Sequence, residues 1–377
     1  MSNTSVRHSD LTELAAALQD QRTRSIDVVA PARSLTVQGG SFVLQGLEPV
    51  ITPDGVTSSN GLYTPTSVGD EGVAEKLGIP THYLRRLRGA ATGMYDANVN
   101  GWLAVDDRKF LLRLLRGDGE TETAGVLRAF LSDSYKTIDN FDVLLATLQG
   151  MRDAGIEHPA IQADLTDRRM YVRVTVPEIS AYAPDLLKGY RSPFTGQRGD
   201  ECPNVFAGFV ITNSETGNGS YSITPRLEIE VCNNGMTFAA DAARKVHLGG
   251  RLDAGVVKVS DNTQRANLAL VTSQTADAVR TYLDVDYVMA KVRELEKAAG
   301  IPVADPTAVI ATVGKKLGFT GEQQKEILSH FILGGQMTAG GIMQAVTSAA
   351  QLQDSGDGQW DMESAALPAM AMAAAIR

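Results

Sequence analysis

RMYVRVTVPE, residues 169–178, alternates strictly: Met170, Val172, Val174 and Val176 take one face of an extended strand, and Tyr171, Arg173 and Thr175 take the other. A strand of this kind needs antiparallel partners. Val205 to Thr212 and Ser220 to Val231 supply two, joined by Thr216-Gly217-Asn218-Gly219, because Asn and Gly tolerate the positive φ of a tight hairpin. A second turn, Asn233-Asn234-Gly235, leads to a further strand at Met236 to Ala240. Between the first two strands, residues 180–204 show little regularity. Stretches of that length inside compact domains tend to be functional or mobile.

Working outward, Lys109 to Leu115 and Gly125 to Phe130 read as strands, and Ile161 to Asp164 as a short one. Residues 31–62 read as strands and turns, with a hairpin at Gly39-Gly40. Helical spacing marks Asp10 to Gln21, Thr64 to Arg88 interrupted by Pro80, and Phe141 to Gly155. From Asn262 the chain turns helical, with segments at 262–283, 285–299, 305–318, 321–333 and 338–353. Asp305-Pro306 and Thr320-Gly321-Glu322 are helix openings. The tail from Gln353 is acidic and then Ala/Met-rich, a last docking helix or a loose end. The order predicts an α+β fold: a central antiparallel sheet in β-β-β-α order, mixed N-terminal elements and a helical C-terminal third. Three regions are expected: an arm with a β-hairpin over 1–60, an α+β core over 61–300 and a helical region over 301–377 packed on it.

The 377 residues are 43% hydrophobic and 21% charged, ordinary values for a globular chain. No apolar run approaches the roughly 20 residues that span a bilayer, and Met1 to Gln19 lacks a basic region followed by an apolar one. Two cysteines, Cys202 and Cys232, suit a reducing compartment, so the expected location is the cytoplasm with no membrane contact. A net charge of -9 argues against a general DNA packager. The charge is uneven, however. Tyr83 to Arg116 holds 7 Lys/Arg against 3 Asp/Glu, and Arg168 to Lys258 holds 11 against 9.

No phosphate loop, dinucleotide fingerprint, H-E-x-x-H or paired C-x-x-C is present, so neither a cofactor nor a metal is expected. Glu228 and Glu230 share one strand face, a spacing that suits a cation but more simply marks a solvated sheet edge. Basic and aromatic residues that could line a groove for single-stranded DNA are Arg168, Arg169, Tyr171 and Arg173; Lys188, Tyr190, Arg191 and Arg198; and Arg244, Lys245 and Arg251. An alternative set for a polar pocket is Asn213, Ser214, Cys232 and Asn233 with His247. The plainer reading of these is turn formation for Asn and Ser and packing for Cys232.

Five words resemble, in order, elements of the phage/plasmid-like protein family: LGIP (77–80), LRAFLSDSYKTIDNFDVL (127–144), FAGFVITNSETGNGSYSITPRLEIEVCNNGMTF (206–238), RKVHLGG (244–250) and QAVTSAA (344–350). Leu248-Gly249 stands where that family has Thr-Gly after the histidine, and Asn233 where Ser is commoner. The family occurs on temperate phages, plasmids and integrative elements and has no established activity. The resemblance implies an accessory role on a mobile element. The β-β-β-α order is also similar to the core of single-strand annealing proteins. Together these give the expectation of a non-enzymatic, oligomeric DNA-handling protein. The alternatives are an enzyme or small-ligand binder with a pocket near His247, and a phage–host interaction protein.

Overall fold

The computed structural model describes residues 5–47, 50–52, 55–117, 125–135, 138–245 and 261–376. The N-terminal half runs β1 (Val6–Ser9), α1 (Leu11–Arg24), β2 (Ser25–Pro31), β3 (Thr36–Gln38), β4 (Ser41–Leu44), β5 (Val50–Thr52), β6 (Gly55–Thr57) and β7 (Gly61–Pro65). It continues with α2 (Ser67–Leu77), α3 (Thr81–Ala90), α4 (Thr92–Val105), β8 (Lys109–Leu115), β9 (Gly125–Ser132) and α5 (Asn140–Asp153). The central part holds β10 (Ala160–Leu165), β11 (Met170–Tyr182), α6 (Pro184–Leu187), β12 (Asn204–Asn213), β13 (Tyr221–Ile229), β14 (Asn234–Thr237) and β15 (Ala243–Lys245). Helices close the chain: α7 (Asp261–Tyr282), α8 (Val285–Ala299), α9 (Pro306–Leu317), α10 (Gly321–Gly334), α11 (Ala339–Ala350) and α12 (Gly356–Ala375). The fold is α+β.

A seven-stranded sheet has the order β1-β10-β11-β12-β13-β14, with β15 also on β13. A six-stranded sheet has the order β2-β8-β9-β7-β4-β3. Residues 25–44 thus belong to the same sheet as 61–132. In the large sheet every neighbouring pair is antiparallel. Its register sets Arg173 opposite Gln162 and Val210, and Arg226 opposite Gly208. The register between β11 and β12 shifts between Val176 and Ser180.

Each sheet has its own core. Val28, Phe42, Leu112 and Phe130 of the smaller sheet bury against Val73, Leu84 and Tyr95 of α2, α3 and α4. Val172, Val174, Phe209, Ile211 and Ile223 of the large sheet share one core with Leu14, Val143, Val279 and the C-terminal helices. Every residue of α11 is buried, as expected for a helix that is apolar nearly all round and enclosed by others. Its Gly340 lies so close to Ala299 that a Cβ would sit 2.8 Å from the Ala299 Cβ.

Helix starts follow local chemistry. Asp10 with Glu13, and Thr320 with Gln323, form capping boxes. The tail is ordered as α12, capped by Ser355. α4 gave little sequence signal because its core-facing positions are only Tyr95, Val99 and Leu103, one per turn. Residues 180–204 are not loose: they contain α6, bury Leu186, Leu187 and Tyr190, and close on themselves at an Arg191–Arg198 bridge. Among the described residues no helix is long and apolar enough to cross a membrane.

The two cores are joined by a buried ionic clasp. Glu215, at the tip of the β12–β13 hairpin, accepts from Arg128 Nη1 at 2.7 Å and from the Asn140 backbone N–H at 2.5 Å. Arg113 Nη1 donates to the Glu215 carbonyl at 3.2 Å, while its Nε and Nη2 hold Asp27 and Asp139. Arg113 and Arg128 are each 5% exposed and Glu215 7%. Removing one partner of such a pair leaves an uncompensated buried charge, at a cost of about 3–5 kcal/mol. Glu215→Ala is therefore expected to lower the urea-unfolding free energy by that amount, whereas a loss under about 1 kcal/mol would show that the clasp is dispensable.

Candidate functional site

The face of the large sheet opposite its apolar core is polar, and much of it is buried as well. β11 presents Tyr171, Arg173 and Thr175 there, beside Gln162 and Asp164 of β10 and Arg226 and Glu228 of β13. The start of α12 reaches these side chains. Tyr171 Oη donates to Asp357 at 2.6 Å, its ring lies 5.8 Å from that of Trp360, and Arg173 Nε lies 3.4 Å from Glu363. A cavity of about 310 Å³ opens on this face, and its lining includes His8, Gln162, Arg173, Arg226, Glu228 and Gln359 together with Thr175, Asn233 and Gln351.

Two arginines dominate the lining. Arg173 is 2% exposed and Arg226 is 5% exposed. Arg173 Nη1 donates to Asp164 Oδ2 at 2.5 Å. Asp164 in turn accepts from the His8 backbone N–H at 2.9 Å and pairs with Arg7 at 2.8 Å. Arg226 Nη1 donates to Glu228 and to Thr175 Oγ1, and that hydroxyl donates to Glu228 at 2.9 Å. The Arg226 guanidinium lies over Gly235, where a Cβ would come 1.9 Å from Nε. Only glycine leaves that space.

The pairing is incomplete in a particular way. Arg173 Nη2 and Arg226 Nε are buried and have no hydrogen-bond partner, and neither has the side-chain oxygen of Gln359. Gln359 Nε2 donates to Glu363 Oε1 at 2.7 Å, which fixes the nitrogen and oxygen ends of that amide. Unpaired buried donors and acceptors are uncommon, and each calls for an explanation.

Electrostatics follow from this packing. Burial by itself would raise the Asp164 pKa, but Arg173, the His8 N–H and Arg7 together hold it below the ordinary carboxylate value. Burial, then the Arg7 charge, push His8 below the usual imidazole value. His8 adopts a left-handed backbone (φ 51°) and its Nδ1 lies 3.1 Å from Gln162 Nε2.

The sequence-derived DNA set divides. Arg173, Tyr171 and Tyr190 are buried, so they offer no open guanidinium or ring to a nucleic-acid strand. Arg168 pairs with Glu71 and donates to Asn218 Oδ1 at 3.0 Å, and Arg169 Nε donates to the Asn218 carbonyl at 2.6 Å; both brace the hairpin tip. Arg198 is exposed but paired with Asp200 at 2.7 Å. Lys188, Arg191 and Arg244 are exposed. Arg251, His247 and the Lys245 side chain lie outside the described residues.

Of the pocket set, only Asn233 lines the cavity. Asn213 Nδ2 donates to the Ile138 carbonyl and Asn140 Oδ1, each at 2.9 Å. Ser214 Oγ donates to the Arg168 carbonyl at 2.7 Å and accepts the Asn218 N–H at 3.0 Å, which makes it a turn former. Cys232 is buried against Tyr190 Oη at 3.5 Å, and burial pushes its thiol up to about 11, far from the thiolate a nucleophile needs. Glu228 is no solvated edge residue, because Arg226 and Thr175 hold it. Glu230 accepts from Asn204 Nδ2 at 2.9 Å. Among the described residues no three His, Cys, Asp or Glu are grouped to hold a metal ion.

Sequence reasoning placed Arg173 in a DNA groove and did not single out Gln359, Arg226 or His8. The available signal was a charged residue at a mid-strand position in each of β11 and β13. No family model, curated protein or solved structure matches the chain.

Because Asp164 has a depressed pKa in the fold, its pairing stabilises the protein above the unfolded carboxylate value of about 3.9 and is lost as pH falls through the folded value. Wild-type stability should therefore drop steeply below about pH 4. Asp164→Asn should be less stable at pH 7 and show a shallower acid limb. Parallel curves for the two proteins between pH 6 and pH 3 would contradict this.

Proposed function

We propose that this protein binds a small polar molecule in the cavity between β10, β11, β13 and the start of α12. The observation that carries the reading is a cavity of about 310 Å³ lined by two buried, ion-paired arginines, Arg173 and Arg226, with Glu228, Gln162 and Gln359 beside them. The volume falls at the lower end of the range typical of ligand pockets, and a few convergent polar groups are what such pockets use to orient a guest. At about 10–15 Å³ for each water-sized position, it accommodates a molecule of on the order of twenty non-hydrogen atoms.

The DNA-handling reading draws less support. Binding along a phosphate backbone needs exposed, unpaired cations in a line. From the sequence-derived set, the described residues leave Lys188, Arg191 and Arg244 as exposed cations, with Phe194 as an exposed ring. The resemblance to the phage/plasmid-like family is compatible with either activity, since that family has none established.

The test is a thermal-shift screen of the full chain against small polar metabolites. At least one should raise the melting temperature of wild type, with the concentration dependence of a native-state ligand. The shift should vanish in Arg226→Met and in Gly235→Ala, whose Cβ displaces the Arg226 guanidinium. Circular dichroism checks that both variants fold. Should no compound shift wild type, or should the shift persist in Arg226→Met, the reading fails.

A further inference from the structure

We propose that two copies of this chain pair across the outer face of α4, antiparallel about a two-fold axis at Ala97 and Asn98. The helix covers the smaller sheet, and the inference does not involve the cavity of the larger one.

The polar residues of α4 point the wrong way for a solvent-facing helix. Its one charged residue is Asp96, and that carboxylate accepts the Gly39 and Gly40 N–H groups at 2.7 and 2.9 Å. Asn100 accepts the Val37 N–H and donates to the Val37 carbonyl, each at 2.8 Å. Tyr95, Val99 and Leu103 fill the core side. Met94, Ala97, Gly101, Trp102, Ala104 and Val105 remain for the outside, and all six are exposed. At 3.6 residues per turn they fall within an arc of roughly 160°. Met94, Trp102 and Val105 are 54%, 51% and 67% exposed. Scattered apolar side chains on a surface are ordinary, but several together on one uncharged helix face mark a contact surface.

Small residues run down one side of that face. Gly93, Ala97 and Gly101 recur every four positions, and a Cβ at Gly93 or Gly101 would meet nothing within 4 Å. Among the described residues nothing in the chain requires glycine there, and glycine inside a helix is unfavourable relative to alanine. A second backbone approaching closely from outside does require it.

The occupant follows from symmetry and charge. A two-fold contact sets a patch against itself, so the patch must be self-complementary. An antiparallel pair centred on Ala97 and Asn98 sets the glycine row of one helix against the same row of the other. It brings Trp102 level with Gly93 and Met94 of the second copy, where indole and thioether make a favourable contact. The ends match as well. Asp106 and Asp107 follow α4, whereas α3, which leads into it, carries Arg85, Arg86 and Arg88 and no acid. Arg86 is exposed, with no ion-pair partner among the described residues. Asp107 keeps 82% of its side chain exposed beside Arg33 at 2.7 Å, which leaves it open to a further cation. Antiparallel pairing brings the basic end of each copy to the acidic end of the other, and parallel pairing would set like beside like. An anionic membrane is the poorer match, because α4 has no Lys or Arg along its length.

The test is sedimentation velocity of the full chain between about 1 and about 100 µM. The average mass should rise toward that of two chains. Trp102→Arg, on a half-exposed residue, should weaken the association by about tenfold or more. Gly101→Leu is the sharper variant. The open space around Gly101 lets the single chain keep its fold, and an added apolar side chain would strengthen unspecific sticking. Blocking the approach of the second helix should instead weaken pairing. Circular dichroism checks that both variants fold. A wild-type chain that stays monomeric throughout overturns the proposal, including one that sediments with phosphatidylglycerol vesicles instead. So does a Gly101→Leu protein that associates as tightly as wild type. Either result leaves the cavity reading where it stands, since that reading is judged by ligand-dependent melting and Arg226→Met.

Discussion

A guanidinium taken out of water must be met by carboxylates, and this constraint organises the whole molecule. Arg113, Arg128, Arg173 and Arg226 are each 5% exposed or less. Several of their partners come from far along the chain. Arg113 reaches Asp27, Arg128 reaches Glu215, and Arg173 reaches Glu363. Each pair ties together segments that hydrophobic patterning alone would leave free to slide. Burial of such pairs adds little net stability compared with apolar packing. What they contribute is a penalty on every arrangement that leaves one of them unmatched.

The same constraint accounts for both the join between the two cores and the cavity. At the tip of the β12–β13 hairpin, Glu215 satisfies Arg128 and the start of α5 at once, so the smaller sheet is held by the turn of the larger one. Further along the same hairpin, Arg226 and Glu228 face Arg173 across the sheet, and α12 returns to supply Glu363 and Gln359. Satisfaction at the clasp extends to each nitrogen of Arg113. At the cavity it stops one hydrogen bond short on each of two arginines.

The run 206–238 contains Glu215, Arg226, Glu228 and Gly235. Its physical content is now specific. Asn213 and Ser214 shape the turn that delivers Glu215, and Gly235 provides the gap into which the Arg226 guanidinium fits. These are demands of packing and hydrogen bonding. None of them requires a residue of the run to be a nucleophile or a base.

By itself the sequence determined the local elements. Alternation over 169–178 and the turn at 216–219 specified strands and a hairpin of the large sheet, and caps at Thr320 and Asp305 specified helix starts, because these depend on neighbours a few residues apart; the turn expected at 233–235 lies at 230–233 instead, with Asn234 and Gly235 already in β14. It also separated Val172 and Val174 from Arg173, but the second face read as open surface that a nucleic acid could use. Only the tertiary structure decided that α12 reaches that face, that Arg173 is spent on Asp164 and Glu363, and that His8, Arg226 and Gln359 share one cavity. Those contacts join residues more than a hundred positions apart in places, and no local pattern encodes which distant carboxylate will meet a buried guanidinium.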